Sequence, residues 1–117
     1  MNYFNITEFD SPDQVGSGRV MKESVLEMLD EARAKFDKAI HINSGYRTKK
    51  HNTKVGGKPN SAHLKGYAVD IHCDNSRDRY NLINCLLDVG FTRLGIAKTF
   101  IHIDADPDKD PDVVWTY

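Results

Sequence analysis

The sequence predicts an α+β domain with a mostly antiparallel sheet and helices packed on one face of it. Two stretches with helical spacing lie among short segments that alternate apolar and polar residues. Gly and Pro gather at a few joints and keep those segments short. Few connections are long enough for the crossovers that parallel strands need, so strands are expected to pair mainly antiparallel.

Residues 10–18, DSPDQVGSG, read as a loop. Val25, Met28, Leu29, Ala32 and Phe36 then recur at helical spacing and predict an amphipathic helix over about 19 to 37. Ile40, Ile42 and Ser44 alternate with His41 and Asn43 as in a half-buried strand ending at Gly45. A short helix is expected over 47–54, and Gly56, Gly57 and Pro59 force an irregular loop that can wall a site. From Tyr67 to Cys73 the alternation is clean: Tyr67, Val69, Ile71 and Cys73 suit a core, while Ala68, Asp70 and His72 face the other way. Asn75 starts a helix near 76–89, Tyr80, Ile83 and Leu87 supply its apolar stripe, and Gly90 ends it. Two further strands are predicted near 92–97 and 100–105, the second setting Ile101 and Ile103 against Phe100, His102 and Asp104.

The 117 residues suit one domain, residues 1–117, with a single core. No apolar run approaches the ~20 residues of a membrane span. Sixteen basic against seventeen acidic residues leave no basic field to draw the chain onto nucleic acid. Lys49, Lys50, Lys54, Lys58 and Lys65 fall in one stretch, but without interleaved aromatics they read as a solvated loop surface. Cys73 and Cys85 are too few for a disulfide scaffold and read as buried free thiols. The start MNYFNITEF lacks the basic and apolar regions of a secretory signal, so a target outside the membrane requires another route of delivery.

His63 sits at the rim of a Gly-containing turn, Asp70 in the strand that follows, and His102 in a second strand of like pattern. Two imidazoles and a carboxylate form a ligand set that Zn2+ accepts tetrahedrally with one position open for water, as in catalytic sites. Such a site lowers the pKa of its water and polarises a carbonyl, the usual route to metal-assisted peptide hydrolysis.

The runs Ser44-Gly45-Tyr46-Arg47, His51-Asn52, Val55-Gly56-Gly57, Ser61 to Asp70, and Phe100-Ile101-His102-Ile103-Asp104 follow one another in order. Together they resemble the short, single-domain branch of the M15 family of zinc D-Ala-D-Ala carboxypeptidases and peptidoglycan endopeptidases. The resemblance implies a hedgehog/DD-peptidase-like fold, a Zn2+ cofactor on His63, Asp70 and His102, and a peptidoglycan peptide as substrate. It also implies that Arg47 binds a substrate carboxylate, a role that a planar two-pronged guanidinium suits. Ser61 is expected to hydrogen-bond near the metal and help position substrate, and Gly66 to permit the turn that aims His63.

One departure is plain. Family members place an acidic catalytic residue shortly before the last zinc histidine, commonly three positions earlier, where this chain has Thr99 preceded by Lys98. The nearest acid on the same strand face is Asp104, about 7 Å beyond His102. Two roles are open to it: general base, hence the candidate catalytic residue, or a carboxylate that orients a ligand imidazole. His72 shares the face of Asp70 but reads as a partly exposed strand histidine, and His51 as a loop residue. The expected activity is zinc-dependent hydrolysis of stem peptides by a monomer, delivered as a phage lysis enzyme, a phage tail component or an exported bacterial enzyme. The alternative is a metal-stabilised cell-wall-binding module without turnover, which the missing acid at Thr99 would permit.

Overall fold

The computed structural model describes all of residues 1–117. Its elements are α1 (Glu23–Phe36), β1 (Ile42–Ser44), α2 (Lys49–Lys54), β2 (Ala68–His72), α3 (Ser76–Asp88), β3 (Arg93–Ile96), β4 (Phe100–Asp104) and β5 (Val113–Thr116). Short 3-10 turns occupy Ile6–Phe9, Ser17–Val20 and Ala62–Lys65. No helix is long and apolar enough to cross a membrane.

Helix α1 starts later than its apolar spacing predicts, because Ser17–Val20 closes as a tight turn and Met21 is extended. Glu23 in its first turn and Arg33 and Lys35 in its last complement the helix dipole. The Asn75 side chain caps α3 by accepting from the Asp78 N–H at 2.9 Å. The expected stripe of α3 is corrected: Leu82 and Leu86 face the core, Ile83 is half-buried, and Tyr80 and Leu87 are exposed. The Leu82–Leu86 pair, one turn apart, sets the helix rotation because it puts two full side chains into the core.

The sheet runs β1-β2-β4-β3-β5, and every pairing is antiparallel except β3 with β5. Because β5 runs opposite to β4, residues 105–112 need only step past the end of β3, and no helical crossover is required. Strand β5 was absent from the sequence-based expectation. Val69, Ile71, Leu94, Ile101 and Ile103 join Val25, Leu26, Leu29, Ala32, Leu82 and Leu86 in one continuous core on the helix-covered side of the sheet. The α+β, mostly antiparallel expectation therefore holds. Cys73 lies in that core, Cys85 is half-buried, and both are free thiols.

Candidate metal centre

Alternation along β2 and β4 sends Asp70, His102 and Asp104 to the sheet face opposite the core, and all three are nevertheless buried. Asp70 pairs directly with His102 across the two strands. His63 reaches the same point from the Ala62–Lys65 turn, where the Ser61 hydroxyl accepts from the His63 N–H at 3.2 Å. Gly66 ends this turn at φ 78, a left-handed conformation, and a β-carbon there would collide with the backbone of Val20.

The donor atoms of His63, Asp70 and His102 lie within 4.8 Å of one another. His63 Nδ1 is 2.7 Å from the Gly45 carbonyl, which can only accept, so Nδ1 carries the proton. Nε2 is then a lone pair, buried without a hydrogen-bond partner, 3.3 Å from Asp70 Oδ1. The same Oδ1 lies 2.9 Å from His102 Nδ1. On its other side His102 turns Nε2 to Asp104 Oδ2 at 2.7 Å. A neutral imidazole has one proton for two carboxylates, and a neutral His63 has none for Asp70. The cluster is short of positive charge around Asp70 Oδ1, which is where a metal ion fits this donor set.

Charge organises the rest. Burial pushes the Asp70 carboxyl up, but the hydrogen bond to His102 outweighs it and holds the group well below the usual carboxylate range. Asp104 is likewise lowered against burial by His102, the Asp106 N–H and Arg93. Burial disfavours charge on His102, yet Asp104 and Asp70 raise its pKa.

Arg47 donates from Nε to Ser44, from Nη1 to Asn52 Oδ1 at 3.2 Å, and from Nη2 to Asp70 Oδ2 at 3.1 Å. It therefore fixes the Asp70 oxygen that the histidines leave free, and keeps two of its five N–H donors unengaged. Both Asp104 oxygens have partners: Oδ2 meets His102, while Oδ1 accepts from Arg93 Nε at 2.7 Å and from the Asp106 N–H at 3.1 Å. Three of the roughly four acceptor positions of the carboxylate are thereby engaged.

A cleft of about 660 Å³ opens over the three donors, within the range of ligand sites. The 55–60 loop forms one wall and Trp115 and Tyr117 another. Trp115 tilts over His102 with ring centroids 5.5 Å apart, and Tyr117 leans on Phe100 at 5.1 Å. Asn52, buried at the base of the loop, donates from Nδ2 to the Lys58 carbonyl at 2.9 Å. Sequence reasoning met Asn52 in the His51-Asn52 run without giving it a role, and missed Arg93 and Trp115. Only the Val113–Thr116 alternation, four residues long behind an Asp/Pro-rich run, signals the last of them. His72 lies exposed, 3.5 Å from Asp74 and edge-on to His41, and does not line the cleft.

An α+β fold with two imidazoles and a carboxylate converging beneath an open cleft defines a class: proteins whose donor set can hold one metal ion with room beside it for a further ligand. The chain belongs to the Peptidase M15 family, whose model matches residues 2–104. Membership places it among the metallopeptidases. The match ends at Asp104, before β5. No curated protein matches the chain by sequence.

Proposed function

We propose that this protein is a zinc peptidase that hydrolyses peptide bonds in the stem peptides of bacterial peptidoglycan. The observation that carries the reading is the orphaned His63 Nε2, buried and aimed at a carboxylate oxygen already shared with His102. His63, Asp70 and His102 would hold Zn2+, which when bound supplies an activated water and an electrophile for the peptide carbonyl. Arg47 holds Asp70 in register, and its two spare N–H groups, with the exposed ammonium of Lys58, meet a peptide carboxylate. Ser61 caps the His63 turn and offers its hydroxyl to substrate from the cleft wall. The enzyme acts as a monomer on the cell wall after release or delivery from the cell that makes it.

A second reading, a metal-stabilised wall-binding module, draws on one observation: the only carboxylates lining the cleft are Asp70 and Asp104, and both are engaged. The two readings part in one experiment. Zinc-loaded protein is incubated with cell-wall peptides and the products are weighed. New fragments at a terminal D-Ala or at an L-Ala/D-Glu bond support the peptidase and tell carboxypeptidase from endopeptidase. Retention of intact peptides without cleavage would leave the module.

A further inference from the structure

Three strands in register build a second set of contacts beside the metal donors. Arg93 on β3 pairs with Asp104 on β4, and Gly95 pairs with His102 on one side and Trp115 of β5 on the other. Arg93 and Gly95 thus sit in adjacent rows on the face that carries the histidine. Gly95 is what lets the rows close: a β-carbon there would collide with Trp115 Nε1, so the indole occupies the volume a side chain would fill. From that position it leans over the imidazole of His102.

The contacts return on themselves. His102 Nε2 meets Asp104 Oδ2 at 2.7 Å, and Asp104 Oδ1 meets Arg93 Nε at 2.7 Å. The Arg93 guanidinium lies 5.2 Å over the indole of Trp115, and the indole is 5.5 Å from the imidazole where the circuit began. Every link is at least partly shielded from water, and the Asp104 side chain is almost wholly buried.

We infer that Asp104, Arg93 and Trp115 act together as positioning residues that hold His102 in its metal-ligating orientation. The inference rests on the zinc reading above and extends it to residues beyond the ligands. A carboxylate on Nε2 fixes the proton there and leaves Nδ1, on the Asp70 side, with the lone pair a metal needs. It does not stop the imidazole from rocking about that hydrogen bond. The indole against the ring removes that freedom. Arg93 serves both partners, holding Asp104 through its Oδ1 and the indole in place by cation–π contact. A metal donor must be held to within about 10–20° of its productive direction, which one contact alone does not secure.

The test is zinc affinity, measured by chelator competition on metal-free protein and independent of turnover. Trp115→Ala and Arg93→Gln are each expected to weaken zinc binding by about 10-fold or more, as loss of groups that orient metal ligands does. Trp115→Phe, which keeps a ring over the imidazole, should restore most of the affinity. Because the residues act through one circuit, the double variant should lose little more than the worse single variant. The melting temperature of each metal-free variant, taken alongside, separates loss of positioning from loss of fold. Should Arg93→Gln fail to fold, the comparison of Trp115→Ala with Trp115→Phe carries the test alone. Zinc affinities within twofold of wild type in the folded variants would overturn the inference, as would losses that simply add. Failure of the wild type to bind zinc would instead overturn the proposed function itself.

Discussion

Asn52 shows how much of the site rests on a buried residue that does not line the cleft. It is buried, accepts from Arg47 through Oδ1, and donates from Nδ2 to the Lys58 carbonyl, while its own carbonyl accepts from Gly57 at 2.8 Å. One side chain therefore couples the guanidinium that holds Asp70 to the loop that walls the cleft. Asn52→Ala removes both side-chain links and is expected to cost about 1–3 kcal/mol, the usual penalty for leaving buried polar groups unpaired. Urea unfolding measures that loss. The same variant should raise KM more than it lowers kcat, since the donor set stays while the loop and Arg47 loosen; an unchanged KM would mean that the loop takes no part in binding. At this scale the sequence was most legible where chemistry is carried by residue type. The motif around His63 and Asp70 and the matching face at His102 named three side chains that the fold brings together. Arg93 and Trp115 matter through partners on other strands, which strand register decides, whereas Asn52 acts on near neighbours, Arg47, Gly57 and Lys58, that only the local turn of the chain brings to it.

At the scale of elements, alternation and capping located both main helices and four strands within a few residues, because each buries one face and leaves the other polar. Strand β5 escaped because its half-exposed pattern follows the run Asp106 to Asp112, which reads as pure loop. That run is in fact anchored. The buried Asp106 carboxylate lies 2.7 Å from Lys65 Nζ and 3.0 Å from Lys109 Nζ and accepts from the Asp108 N–H, while Lys109 also donates to the Asn60 carbonyl. The β4–β5 connection is thereby tied to the turn that carries His63 and to the opposite cleft wall. Burial pushes the Asp106 carboxyl up, but Lys65, the Asp108 N–H and Lys109 outweigh it and lower the pKa to about 2. A carboxylate lower in the folded than in the unfolded chain stabilises the fold fully above the unfolded value of about 4 and loses that contribution as pH falls from there toward 2. Screening at the part-exposed Lys65 limits the gain to the order of 1 kcal/mol. Wild type should exceed Asp106→Asn in urea stability by about that much at pH 7, and the gap should narrow below about pH 4 and close near pH 2; a gap independent of pH would show that the ion pairs contribute nothing.

Across the whole molecule, the core and the metal donors occupy opposite faces of one sheet. The aliphatic cluster that joins α1, α3 and the inner sheet face is continuous without any of the donor residues. This separates the protein from small domains in which metal binding is itself the folding energy. Removal of zinc should therefore leave a cooperatively folded protein with lower stability. Zinc free at 100 times its dissociation constant adds about 2.7 kcal/mol to the native state, worth about 10 °C in Tm for a chain of this size. Calorimetry with chelator and with added zinc should show one transition in each case, displaced by roughly that interval. His63→Ala should unfold at a lower temperature even without metal, because the Gly45 carbonyl loses its donor, and added zinc should barely move its transition. A chelated wild type with no cooperative transition would mean that the two faces are not independent. An equal zinc shift in wild type and His63→Ala would mean that the ion binds elsewhere. The predicted pattern requires a metal centre resting on a sheet that is folded before the metal arrives.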